Sequence, residues 1–156
     1  MTMGNSIVVG TDGSDTAKLA VAESVRLAKA LGADLHVVAA YEPFRGARIK
    51  GAPEGAAKVW APLPDSRVEA TLSEAAAGVR LHGVKVTTHA CERDAVDALL
   101  EVAAEVDAHL IVVGSKGMHG AQRIRLGNVP NQVSHRARCN VLIVATDRAP
   151  VSAAPA

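Results

Sequence analysis

The chain has 156 residues, which at roughly 100–200 residues per domain makes one domain. A formal charge of +1 with 21% charged side chains excludes a strongly basic binder of phosphate backbones and an acidic solvating chain. Aromatics make up 2% (Tyr41, Phe44 and Trp60), which argues against stacking of nucleobases, while 30 alanines and 21 valines favour close packing of helices on a sheet.

In chain order, Ser6–Thr11 reads as a buried strand carrying Ile7, Val8 and Val9 in a row. Ser14–Leu31 reads as a helix. Ser14 is its cap, Ala17, Val21, Val25, Ala28 and Leu31 recur on one face, and Gly32 stands where a left-handed residue is wanted. Asp34–Tyr41 is the second strand. Glu42–Pro64 holds Pro43, Gly46, Gly51, Pro53, Gly55, Pro62 and Pro64 without a sustained period, and reads as a long irregular excursion. The next helix is expected from Ser66, where Ser66-x-x-Glu69 has the form of a capping box, to Gly83. Val84–Ala90 is the third strand, Asp94–Val106 a helix and His109–Gly114 the fourth strand. Ser115–Leu126 is a loop, and a short helix should run from Pro130 to Ala137. Val141–Ala145 is the fifth strand. Residues 1–146 thus form the domain, and Thr146 leads into a frayed tail over 147–156.

Strands alternating with helices mean an α/β fold: a parallel sheet covered by helices on both faces, its strands continuously apolar. In such a sheet a ligand lies beyond the carboxyl ends of the strands, where strand order reverses. Four stretches stand there, Thr11-Asp12-Gly13-Ser14, Ala39-Ala40-Tyr41, Ala90-Cys91-Glu92 and Gly114-Ser115-Lys116-Gly117, and two of them carry the signal. In Gly114-Ser115-Lys116-Gly117, then nine residues, then Gly127-Asn128, the glycines let a backbone approach an anion. Gly127, Asn128 and Val129 keep free N–H groups at the entrance of the last helix, where the helix dipole favours a phosphate. Read alone, Gly114 and Gly117 are more often turn formers. In Thr11-Asp12-Gly13-Ser14, Asp12 suits a ribose hydroxyl or a bound Mg²⁺; an Asp before a helix, read alone, is more often a cap or turn former. No Walker loop, metal-ligand spacing or catalytic triad is found, and no catalytic residue is named.

These stretches resemble the universal stress protein family over Ser6 to Ala145. The resemblance rests on Val8-Val9-Gly10-Thr11-Asp12-Gly13-Ser14, on Gly114-x2-Gly117-x9-Gly127, and on Asn128-Val129 followed by Val133, Ala137 and Cys139-Asn140-Val141-Leu142-Ile143-Val144. It implies a five-stranded sheet of order 3-2-1-4-5, Rossmann-like, with adenine nucleotide across the ends of strands one and four. Asp12 would hold the ribose, and the backbone of Ala39 would meet the adenine. Gly114, Gly117, Gly127 and Asn128 would frame the phosphates, with Thr11, Gly13, Ser115 and Val129 counted beside them as nucleotide-binding residues. Asn128 stands where the family carries Ser or Thr, and Cys91-Glu92-Arg93 where it carries Gly-x-Pro.

The expected role is an ATP-binding stress-response sensor or carrier, with or without Mg²⁺. Cyclic AMP binding, slow ATP hydrolysis and a nucleotide-free interaction protein are the alternatives. Cys91 and Cys139 read as free thiols in a reducing compartment. With no signal segment, no membrane span and no nucleic-acid partner expected, the assigned location is cytoplasmic. The apolar fifth strand, Val141, Leu142, Ile143, Val144 and Ala145, would be a sheet edge, so a homodimer through it is expected.

Overall fold

The computed structural model describes residues 5–41, 64–115 and 128–146. The excursion over 42–63, the loop over 116–127 with Gly117 and Gly127, and the tail over 147–156 lie outside the described residues. The elements are β1 (Ser6–Gly10), α1 (Asp15–Leu31), β2 (Asp34–Tyr41), α2 (Pro64–Leu81), β3 (Val86–Glu92), α3 (Ala95–Glu105), β4 (Leu110–Gly114), α4 (Asn128–Arg136) and β5 (Asn140–Val144). All pairings are parallel, in the order β3-β2-β1-β4-β5. The expected fold and strand order are therefore observed.

Two layers of core hold the sheet. On one face Ile7, Val9, Leu35, Val37 and Val112 pack against Ala20, Val25 and Ala28 of α1 and Leu72 and Val79 of α2. On the other, Val8, Val38, Ile111 and Val113 pack against Val96, Leu99, Val102 and Ala103 of α3 and Val133 of α4. Ile7, Leu35 and Ile111 are fully buried, each contributing roughly 1.5–3 kcal/mol by leaving water. Because β1 and β4 are covered on both sides, they read as unbroken apolar runs.

Helix α1 starts as its sequence demands: the Ser14 hydroxyl accepts the N–H of Ala17 at 3.2 Å. It ends at Gly32, whose φ of +62° is left-handed. Helix α3 is capped by Asp94, whose carboxylate accepts the N–H of Asp97 at 3.0 Å. That backbone N–H is the largest cause holding the Asp94 carboxyl below its ordinary range.

Several boundaries differ from the expectation. Helix α2 begins at Pro64, so Ser66 is already helical and caps nothing. Proline is at home in a first turn, where its missing N–H costs nothing. For the same reason α4 tolerates Pro130 inside its first turn and starts two residues earlier, at Asn128. Strand β3 spans 86–92 rather than 84–90, because β2 continues to Tyr41 and pairs it with Glu92. As an edge strand β3 is not continuously apolar: Thr87, Thr88, Ala90 and Glu92 are exposed. Strand β5 takes in Asn140 and stops at Val144, leaving Ala145 exposed beyond it.

Candidate functional site at the ends of strands β1 and β4

Strand order reverses between β1 and β4: β1 leads by α1 to β2 on one side, while α3 returns the chain to β4 on the other. A crevice opens where two such crossovers part. Here it is a cleft of about 260 Å³ lined by Thr11, Asp12, Gly114, Asn128 and Val129 at the rim and by Val38, Ala40, Leu99 and Val113 below.

Each rim residue is held by local bonding. Backbone N–H of Thr11 donates to Val38 O at 2.8 Å, tying the turn after β1 to β2. Asp12 Oδ1 accepts the N–H of Ser14 at 2.9 Å, a short turn that leaves Oδ2 available. Thr11 Oγ1 accepts the N–H of Gly13 at 3.2 Å. Gly114 ends β4 opposite Val144. Asn128 and Val129 open α4, whose first N–H groups have no partner within the helix. The cleft thus joins a carboxylate on one wall, donors on the other and an apolar floor between them.

Three anticipated residues are placed differently. Gly13 has φ +80°, and a Cβ there would come 3.2 Å from Thr71 Oγ1, so it faces α2 rather than the cleft. Ala39 belongs to the core layer under α1 and α2; its neighbours Val38 and Ala40 line the cleft. The Ser115 hydroxyl accepts the N–H of Thr146 at 3.1 Å and joins the ends of β4 and β5. Ala40 lines the cleft from a stretch expected at the strand ends, while Val38, Ala95 and Leu99 were not anticipated in its wall. The signal for Val38 was the period of two along β2, with Gly10 opposite Val38.

A larger groove of about 520 Å³ runs between α1 and α2, over Val21, Val25, Ala75, Gly78 and Val79. Its cations are partly matched from the helices themselves: Lys18 lies 3.6 Å from Glu74, and Arg26 pairs with Glu23. On the α3 side of the sheet, His36 Nδ1 and His89 Nε2 are 2.9 Å apart. Burial is the main cause depressing both imidazoles, and their mutual repulsion adds to it for His36. Neither histidine lines the cleft. Burial pushes both free thiols, Cys91 and Cys139, up from the ordinary thiol range, which favours the protonated form. Among the described residues no three His, Cys, Asp or Glu side chains gather for a metal, and no helix is long and apolar enough to cross a membrane.

The same architecture recurs in known proteins. The universal stress protein family model matches residues 3–145. A universal stress protein of Mycobacterium tuberculosis is 35% identical over 145 residues, covering 90% of this chain and 96% of that one. A universal stress protein solved in complex with cAMP superposes with a TM-score of 0.69 at 32% identity, over 93% of this chain and 99% of that chain. The universal stress protein of Archaeoglobus fulgidus in complex with dAMP gives a TM-score of 0.67 at 25% identity, over 92% and 99% of the two chains. A match over nearly the whole length, in sequence and in strand order alike, leaves one assignment: the chain belongs to the universal stress protein family.

Proposed function

We propose that the chain binds an adenine nucleotide in the cleft between β1 and β4 and acts as a sensor or carrier. The observation that carries this reading is the pairing, across one crevice, of the Asp12 carboxylate with the free N–H end of α4. Asp12, through its available oxygen, takes a ribose hydroxyl. The N–H groups of Asn128 and Val129 take a phosphate, with the helix dipole adding to the attraction. Val38, Ala40 and Leu99 offer the base an apolar surface, and the backbone at Ala39 reaches its edge. Gly114 lets the chain pass close to the sugar and phosphate. Thr11 and Gly13 shape the turn that holds Asp12, and Ser115 supports the end of β4.

A nucleotide with one phosphate, cyclic AMP first, is the preferred ligand. Among the described lining residues Asp12 is the one charged side chain, so a low ligand charge meets least repulsion. The two related structures hold cAMP and dAMP, which supports the same choice. ATP is the second reading, favoured by the spacing Gly114-x2-Gly117-x9-Gly127. Its Mg²⁺ would rest chiefly on the phosphates it accompanies, since a single carboxylate is a poor cage. Mass spectrometry of nucleotide released from the denatured protein, with calorimetry against cyclic AMP and ATP, tests the reading. Binding of neither nucleotide would overturn it.

We further propose a homodimer through β5. Val141, Leu142, Ile143 and Val144 are only half-buried in the single chain, and among the described residues no strand pairs with the outer edge of β5. Leu142→Lys should convert a dimer to monomer or aggregate in light scattering. A parent chain that stays monomeric at high micromolar concentration would contradict this.

A further inference from the structure

Helix α4 opens on Asn128 and carries Gln132 one turn later, where side chains four apart meet. Gln132 Nε2 donates to Asn128 Oδ1 at 2.8 Å. A side-chain amide has one accepting end and one donating end. With its oxygen drawn back along the helix, Asn128 is left with the two N–H bonds of Nδ2 for any other partner.

This matters because of what else lines the cleft. Asp12 Oδ1, Thr11 Oγ1 and Ser14 Oγ each already accept a backbone N–H. Asn128 is the one side chain among the described lining residues with nitrogen donors. Were its amide reversed, its oxygen would face the same space as the free N–H end of α4 and would repel an anion there. The orientation of one amide therefore sets whether this wall of the cleft donates or accepts.

We propose that Gln132 is a positioning residue that commits the Asn128 amide to donation, making phosphate rather than hydroxyl the group selected at the start of α4. The inference rests on the nucleotide reading above and sharpens it: the cleft distinguishes a phosphorylated nucleoside from the bare nucleoside through Asn128 and, behind it, Gln132.

Replacing Gln132 by Glu keeps size but turns the donor into an acceptor. The introduced carboxylate takes Asn128 Nδ2, and Oδ1 then faces the ligand. Affinity for cyclic AMP and AMP should fall roughly ten- to hundred-fold, as expected when a hydrogen bond to a charged group is lost. Affinity for adenosine, measured beside them, should change less than threefold. The new charge also acts directly on the phosphate, so the same substitution is made in an Asn128→Ser background. A hydroxyl rotates to suit, and Gln132→Glu should there cost only a few-fold. Gln132→Leu, which removes the tether without charge, should cost a few-fold with Asn128 present and nothing with Asn128→Ser. Equal losses from Gln132→Glu in both backgrounds would overturn the proposal. If the parent binds no adenine nucleotide, the nucleotide reading fails separately. Inorganic phosphate then serves as the probe, followed at the Asn128 side-chain amide signals by NMR. Shifts in the parent that shrink in Gln132→Leu, which removes the tether without adding charge, support the proposal; equal shifts, or none in the parent, overturn it.

Discussion

Of the concavities among the described residues, two make the useful contrast, and the larger of the pair is the less informative. The groove between α1 and α2 has twice the volume of the cleft at the strand ends. Yet half of its lining is valine, alanine and glycine, and of the charged side chains there Lys18 pairs with Glu74 across it and Arg26 with Glu23, while Lys29 and His82 line it with no acceptor set against them among the described residues. The cleft is small, but its rim carries unspent capacity of both kinds: an Asp12 oxygen, the first N–H groups of α4 and the Asn128 amide. Volume records how far two elements stand apart. Free donors and acceptors beside an apolar floor record what a ligand could gain.

The largest effect should come from filling the cleft. Ala40→Phe places a ring between Val38 and Leu99 and should abolish nucleotide binding in calorimetry, with an unchanged circular dichroism spectrum. Retained affinity would move the site elsewhere. Next in size is Asp12. Asp12→Ala should weaken adenosine-containing ligands roughly ten- to hundred-fold if its charge holds the ribose. Asp12→Asn, which preserves the acceptor for the Ser14 N–H, separates charge from turn formation. If Asn behaves as the parent, the turn is what matters.

The groove supplies the opposing test. A Cβ at Gly78 would meet nothing within 4 Å. Gly78→Ala should therefore raise stability by about 1 kcal/mol through helix propensity, with nucleotide affinity unchanged. Gly78→Leu, which intrudes into the groove, should leave affinity equally untouched; a loss would break the contrast between the two concavities.

The smallest effect is a pH dependence of stability. His36 and His89 titrate below their ordinary value of 6.5 in the folded chain, chiefly because they are buried. The unfolded chain therefore takes up protons first as pH falls. Their contribution is intact above about pH 6.5 and is lost as pH drops through the lower folded values. Asp34 and Glu105 oppose the shift, and Lys85 adds to it for His36. The two rings are only partly buried, so the change should be slight. Denaturant midpoints between pH 7.5 and 5 should fall less in His36→Gln/His89→Gln than in the parent. Affinity of the folded chain should not follow the same curve, because neither ring lines the cleft.

Much of this was legible in the residues. Apolar runs at Ile7–Val9 and Leu110–Val113 could only be strands covered on both sides, and their alternation with amphipathic helices fixed a parallel sheet. Ser14, Gly32 and Asp94 announced the ends of α1 and the start of α3 by their own chemistry. Asp12, Gly114, Asn128 and Val129 were found because glycine, a carboxylate and a helix entrance fell just past strand ends. What escaped depended on pairing across the chain. Ala39 and Ala40 are the same residue type, and only the register of β2 against β1 separates the core side from the cleft side. Gly13 and Ser115 lie in the right stretches, but a contact with Thr71 and a bond to Thr146 engage them elsewhere. The meeting of His36 with His89, 53 residues apart, leaves no trace in local periodicity. Ser66 misled because a capping box is only a local pattern, and Pro64 started the helix before it.

The central claim is that ligand enters the strand-end cleft and not the groove. Titrating the ¹⁵N-labelled chain with cyclic AMP and following backbone amides by NMR reads both places at once. Shifts should concentrate at Gly10, Thr11, Asp12, Gly114, Asn128 and Val129, while Val21, Val25, Ala75 and Val79 stay silent. Shifts centred on the α1 and α2 residues, with Asp12 and Asn128 unmoved, would contradict the account.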